Sequence, residues 1–192
     1  INTYAVFAEL TRLLTRNGGR SGIIIPSGIA TDDTTKFFFQ DVIKSGALIS
    51  LYDFENRKGI FSSIHRSFKF CLFTCEKPVT TTPAKRKAEF IFFALDVNDL
   101  KDANRRFTLT AEDFSLLNPN TGNCPIFRSR ADAELTKAIY RRVPVLWKEK
   151  TDGRPEENHW GIRFSQGLFN MASDSHHFKT SKELLADGYV RK

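Results

Sequence analysis

The sequence predicts an α/β fold, and three observations carry that prediction. Apolar residues Tyr4, Phe7, Leu10, Leu13 and Leu14 recur at three- and four-residue spacing, the stripe of an amphipathic helix. A β-branched run without alternation, Ser-Gly-Ile-Ile-Ile-Pro at 21–26, then suits a parallel strand covered on both faces. Finally, a second helical stretch is followed by two apolar runs, 48–54 and 67–74, joined by about a dozen residues. That connection is too short for a helical crossover, so the two runs are expected to pair antiparallel.

The elements follow in order. Asn17, Gly18 and Gly19 stop the first helix. Thr31, Asp32 and Asp33 offer N-caps for a helix over 34–44 with Phe38 and Ile43 inward, and Gly46 ends it. In the run 67–74, Phe68, Phe70 and Leu72 share one face and Lys69, Cys71 and Phe73 the other. Residues 77–87, rich in Pro, Thr and Lys, read as a linker or exposed loop. Beyond it, 89–95 reads as a strand. Thr110-Ala-Glu-Asp opens a short helix as a capping box, and Asn118-Pro-Asn-Thr-Gly is a turn. Ser129 caps a helix to about Arg141 with Leu135, Ala138 and Ile139 inward. Residues 143–147 form a short strand, and Ser181 starts a last helix ended by Gly188.

Composition narrows the function classes. No apolar run reaches the ~18 residues of a membrane span, and no secretory signal opens the chain. Position 1 is Ile and the only Met is Met171, so the chain reads as a piece of something longer. Three cysteines do not make a disulfide framework, and a reducing cytoplasm is the expected compartment. Cys71 and Cys75 fall on one strand face with spacing unlike a zinc knuckle. His176 and His177, being adjacent, should point apart, so no metal site is expected. Trp147 and Trp160 read as packing anchors. An excess of 29 Lys and Arg over 22 Asp and Glu favours a polyanionic partner. Asp53, Glu55, Asn56 and Arg57 read as a mixed-charge loop with ordinary ion pairing.

The most informative segment is 50–74, SLYDFENRKGIFSSIHRSFKFCLFT, whose polar loop carries one aromatic residue, Phe61. An apolar ring on a charged loop is costly unless something covers it, and nucleobases stack on such rings. This segment, with YAVFAELTRLLTRNGGRSG at 4–22 and the stretch 23–39, resembles the later half of a gamma-type DNA adenine-N6 methyltransferase catalytic domain, of the kind found in fused restriction–modification enzymes. The blocks NPNTGNCPIFRSRADAELTKAIYRRVPVL and WGIRFSQGLFNMASDSHHFKT resemble that family's stretch leading into target recognition.

The resemblance implies that residues 1–76 are the trailing half of a Rossmann-like S-adenosylmethionine-dependent sheet ending in an antiparallel hairpin. Residues 77–87 would link it to a mixed α+β extension, 88–192. The parent enzyme would methylate adenine N6 in double-stranded DNA. That amine is a weak nucleophile, so the base must be everted and held in line with the methyl donor. In the family, an aromatic on the loop before the last antiparallel strand receives the base, and Phe61 matches it. Pro26 and Ser27, at a strand's carboxyl end, would line the base pocket. His65, Arg66 and Lys69, with the cluster Lys85, Arg86 and Lys87, are candidates for the DNA backbone; His65 as a general base is the weaker reading. Arg105-Arg106, Arg128/Arg130 and Arg141-Arg142 are further basic clusters.

The family's Gly-rich cofactor turn and Asn-Pro-Pro-aromatic motif are absent from this sequence, and Asn118-Pro-Asn-Thr is not a substitute. The chain by itself is therefore expected to bind S-adenosylmethionine weakly or not at all and to transfer no methyl. Without the missing N-terminal half, a sheet edge at 23–25 would be exposed and would favour self-association. The rival readings are a noncatalytic nucleic-acid-binding module and a structural interaction domain.

Overall fold

The computed structural model describes residues 2–79, 86–151, 153–164, 167 and 169–190. The chain runs α1 (Thr3–Leu14), β1 (Arg20–Pro26), α2 (Gly28–Thr31), α3 (Lys36–Lys44), β2 (Leu48–Glu55), β3 (Lys69–Glu76), β4 (Ala88–Ala94), β5 (Phe107–Leu109), α4 (Ala111–Leu117), α5 (Arg130–Arg142) and α6 (Ser181–Ala186). The strands form one open mixed sheet in the order β1-β3-β2-β4-β5.

Strand β3 is inserted antiparallel between β1 and β2; β4 pairs parallel with β2, and β5 returns antiparallel to β4. The predicted antiparallel pairing of the two apolar runs is thus present, with Phe54 opposite Phe70 and Tyr52 opposite Leu72. The parallel, doubly covered strand expected at 21–26 is not. β1 lies at the sheet edge, its only partner is antiparallel, and Ile24 is largely exposed. Its β-branched run reads as a buried strand, but with one neighbour and one covered face only Ile25 is buried.

One face of the sheet carries the main core. Ile25, Leu51, Cys71, Phe73, Phe90 and Phe107 meet Ala8, Ile29, Phe39, Val42, Phe114 and Ala133 from all of α1 to α5. The opposite face holds a smaller cluster of Phe54, Ile91 and Ala94, flanked by Tyr52, Phe70 and Leu72 and capped by Leu100. The alternation read in 67–74 holds within β3, where Cys71 and Phe73 face the main core and Phe70 and Leu72 the smaller one, but Phe68 precedes the strand and is exposed. All three cysteines are buried and free; burial pushes the Cys75 thiol up to about 12 and raises Cys71 and Cys124 as well.

Two helices turn differently from their sequence pattern. In α1 the buried residue is Ala8, with Tyr4 and Ala5 packed beside it, while Phe7, Leu10, Leu13 and Leu14 are exposed. In α5 the buried residues are Ala133 and Lys137, while Leu135, Ala138 and Ile139 face outward. In α1 small residues let the helix backbone approach β1, α5 packs on α4 with Ala133 reaching the core, and both bulky stripes are left without a partner among the described residues.

Other local expectations divide. Thr110 with Asp113 forms a complete capping box, and Ser129 caps α5. The turn after α4 closes with Gly122 N–H on the Asn118 carbonyl. None of Thr31, Asp32 or Asp33 caps α3 through its side chain; a short helix and a 3-10 turn intervene, and α3 starts at Lys36. The segment 143–147 is not a strand. Trp160 is exposed, and Trp147 packs on Phe164 outside the core. The rings of His176 and His177 lie 3.9 Å apart rather than diverging, because a 3-10 turn carries both. No helix among the described residues is long and apolar enough to cross a membrane.

Because Phe90 is fully buried among Phe92, Phe107 and Phe114, Phe90→Ala is expected to cost about 3–5 kcal/mol. Leu135→Ala, on the exposed face of α5, is expected to stay within about 0.5 kcal/mol. Urea denaturation of the two variants checks the orientation of α5.

Candidate nucleic-acid interface

The functional candidates gather at the rim formed by the carboxyl ends of the parallel strands β2 and β4, where α/β sheets place ligands. The loop 56–68 leaves β2 there and returns as β3. Its organiser is Asn56, which is fully buried. Asn56 Oδ1 accepts from the Phe61 N–H at 3.0 Å, and Nδ2 donates to the carbonyls of Phe61 and Ile64, both at 2.9 Å. Its own N–H donates to the Phe68 carbonyl at 2.9 Å, and its carbonyl accepts from Gly59 at 2.8 Å. One side chain thereby ties the start, middle and end of the loop together. Gly59 has φ of +72°, and a Cβ there would lie 2.9 Å from the Arg66 guanidinium, so the turn requires glycine.

Phe61 is held at both its backbone groups, yet its side chain remains 38% exposed. Its ring meets Phe70 edge-to-face at 4.9 Å, and Phe70 stacks on Phe54 at 5.3 Å. Pro26 is exposed and pairs with Phe70 in the sheet, so Phe61 and Pro26 both flank that ring. Ser27 behaves differently. It is 8% exposed, and its hydroxyl donates to the buried carboxylate of Asp53.

His65, Arg66 and Lys69 are brought together in an open groove with Glu55, Arg57 and Ser67. Glu55 pairs with both Arg57 and Lys69, which fits the ion-pairing reading of this loop. Asp53 does not fit it: this residue belongs to β2, is buried, and accepts from Ser27 and from the Phe93 N–H. Arg66 Nη1 donates to the Arg57 carbonyl at 2.8 Å. Nδ1 of His65 lies 2.7 Å from the Ser67 hydroxyl and 3.2 Å from the Ser67 N–H, so that nitrogen is occupied within its own turn and Nε2 is the one left for a partner.

The other basic candidates are elsewhere. Arg86 pairs with Glu76 at the far end of β3, where Arg20 joins it and the two guanidiniums hold the Glu76 carboxyl below the usual range. Lys87 lies beside the start of β4, also away from the loop. Lys85 falls outside the described residues, as do 80–84 of the linker reading. Arg105, Arg106 and Arg141 are engaged by Asp99, Glu89 and Asp113.

Two features of this rim were not legible. Phe93 has φ of +59°, the one positive value among described non-glycine residues. A bulge between Tyr52 and Phe54 shifts the β2–β4 register, so consecutive Phe92 and Phe93 both face the main core. The Phe93 ring carries Lys69 Nζ at 4.9 Å and the Arg128 guanidinium at 4.5 Å from its centroid. Nothing in FIFFALD marks which aromatic turns over. The role of Asn56 had a faint signal, an Asn closing a strand three residues before a Gly.

The groove with Phe93 lies on the helix-covered side of the rim, and Phe61 with Pro26 on the other. The groove presents Arg57, Arg66 and Lys69 against one carboxylate, a balance that favours an anion over a cation. Between them the two sides offer a partly exposed ring and a set of cations, groups that can stack on a base and pair with phosphates. Comparison with models of known protein families and with curated proteins finds no match.

Removing the Asn56 amide leaves the Phe61 N–H and the Ile64 carbonyl without partners, while the Phe61 carbonyl keeps only the Ile64 N–H at 3.2 Å. Asn56→Ala is expected to destabilise the protein by about 2–4 kcal/mol and to open residues 57–68 to proteolysis. Limited proteolysis with mass-spectrometric site mapping, alongside denaturant titration, checks both.

Proposed function

We propose that this chain provides the base-receiving and backbone-contacting part of an S-adenosylmethionine-dependent DNA adenine-N6 methyltransferase, acting within a restriction–modification system of the cytoplasm. The observation that carries the reading is Phe61: a half-exposed ring on a loop locked by a buried asparagine, at the carboxyl rim of an α/β sheet, before an antiparallel strand. A ring so fixed loses little conformational entropy when a base stacks on it.

The division of labour follows from the residues present. Phe61, with Pro26 beside Phe70, would receive an everted adenine. The groove residues His65, Arg66 and Lys69 would hold the strand's phosphates. This chain is proposed to contribute no main cofactor contact, since its sequence lacks the family's Gly-rich turn. The Gly-rich turn and Asn-Pro-Pro-aromatic motif would have to come from another segment or polypeptide. Such a segment would also meet the free edge of β1, with Ile24 exposed beside it; in its absence we expect self-association there.

A second reading, a noncatalytic nucleic-acid-binding module, draws on the same groove, because its cations bind backbone without any cofactor. The two readings separate in one experiment. Fluorescence anisotropy compares a DNA duplex carrying a bulged adenine with the fully paired duplex. Base reception predicts tighter binding of the bulged duplex and a loss of that preference in Phe61→Ala, a factor of about 5–150 for one stacking contact of ~1–3 kcal/mol. Equal affinity for the two duplexes would leave only backbone binding and remove the case for methyl transfer to an extruded base.

A further inference from the structure

We infer that Arg128 and Lys69, gathered on the ring of Phe93, form a binding site for a nucleic-acid phosphodiester. This rests on the nucleic-acid reading of the same rim and names the residues that would grip the backbone there.

Three independent observations converge. The first is conformational. Phe93 sits in the left-handed region, which costs a phenylalanine of order 1–3 kcal/mol. Its surroundings hold it there: its N–H donates to buried Asp53 at 3.1 Å, and Arg105 donates to its carbonyl at 2.7 Å. A bulge that re-aims a side chain at a sheet rim is a feature of binding sites.

The second is electrostatic. The bulge delivers the ring to a place where cations from two separate elements meet, Lys69 opening β3 and Arg128 just ahead of α5. Among the described residues Lys69 pairs with one carboxylate, Glu55, and shares it with Arg57. Among the described residues Arg128 makes no ion pair and no side-chain hydrogen bond, although its residue is exposed and its guanidinium is stacked in place. Two like charges, 4.9 and 4.5 Å from one ring centroid, repel unless an anion joins them, and the ring's quadrupole offsets only part of that.

The third is position. The pair lies at the carboxyl ends of β2 and β4, and Lys69 continues directly into the groove of His65 and Arg66. A phosphodiester suits a planar guanidinium that can bind it through two N–H groups, with an ammonium as a second charge.

The test is the salt dependence of DNA binding by the whole chain, measured by anisotropy with a labelled duplex between ~50 and ~200 mM salt. Arg128→Gln should reduce the slope of log K against log salt by about 0.9, the loss of one phosphate contact. Arg128→Lys should keep the slope while weakening binding, and Lys44→Gln, at the end of α3 ahead of the amino end of β2, should change neither. Inorganic phosphate at matched ionic strength should compete only weakly; full competition at millimolar phosphate would mean a site for the free anion instead and would overturn the phosphodiester assignment. An unchanged slope and affinity in Arg128→Gln, with wild-type binding intact, overturns this site alone. A wild-type chain that does not bind DNA overturns the nucleic-acid reading on which it rests.

Discussion

The side-chain amide of Asn56 accepts from the Phe61 N–H and donates to the carbonyls of Phe61 and Ile64, and the conformation of the 56–68 loop follows from that. A loop of this length between antiparallel strands has no ladder of its own, so its backbone groups need partners. A single buried residue supplies them at three points. The consequence is an aromatic ring that is exposed without being free: its backbone is tied, its edge rests against Phe70, and Phe70 is stacked on Phe54. Rigidity at an exposed apolar group is what a stacking surface needs, since a mobile ring would lose entropy on each encounter.

The sheet distributes the remaining roles. All of α1 to α5 press on one face, which leaves the other with a small cluster around Phe54, Ile91 and Ala94. The rim at the carboxyl ends of β2 and β4 thus has two unlike sides. One presents Phe61 and Pro26; the other presents the cationic groove, the turned-over Phe93 and Arg128. Buried Asp53 joins these parts, because it takes the Ser27 hydroxyl from the end of β1 and the Phe93 N–H from the bulge in β4. A carboxylate that reads in sequence as part of a charged loop acts instead as the rim's internal brace.

Much of the fold was readable where local chemistry decides it. The antiparallel pairing of β2 with β3 followed from a connection too short to cross over, and the caps Thr110 and Ser129 followed from side-chain oxygens placed before helical stretches. The errors arose where tertiary packing overrides pattern. Ile23 to Ile25 carry the composition of an interior strand, yet β1 is an edge. The bulky stripes of α1 and α5 face outward because small residues, Ala5 and Ala8 in α1 and Ala133 in α5, make the inward contacts. At the rim, Phe61 and the groove residues His65, Arg66 and Lys69 were legible because they sit in one short segment. Phe93 and Arg128 were not, since their meeting depends on a register shift and on the placement of α5, neither of which leaves a local signature. Arg86 and Lys87 lie apart from that rim, although their charge is plain in the sequence: Arg86 pairs with Glu76 at the far end of the sheet, and Lys87 stands just before β4.

The account depends on Phe61 being fixed rather than waving. Its amide is the direct reporter, because that proton is donated to Asn56 Oδ1 although the ring beside it is exposed. Hydrogen exchange resolved at the Phe61 amide should show protection comparable to the neighbouring strands β2 and β3. Exchange at the rate of an unstructured peptide would mean that the loop is not locked, and the central claim would fail.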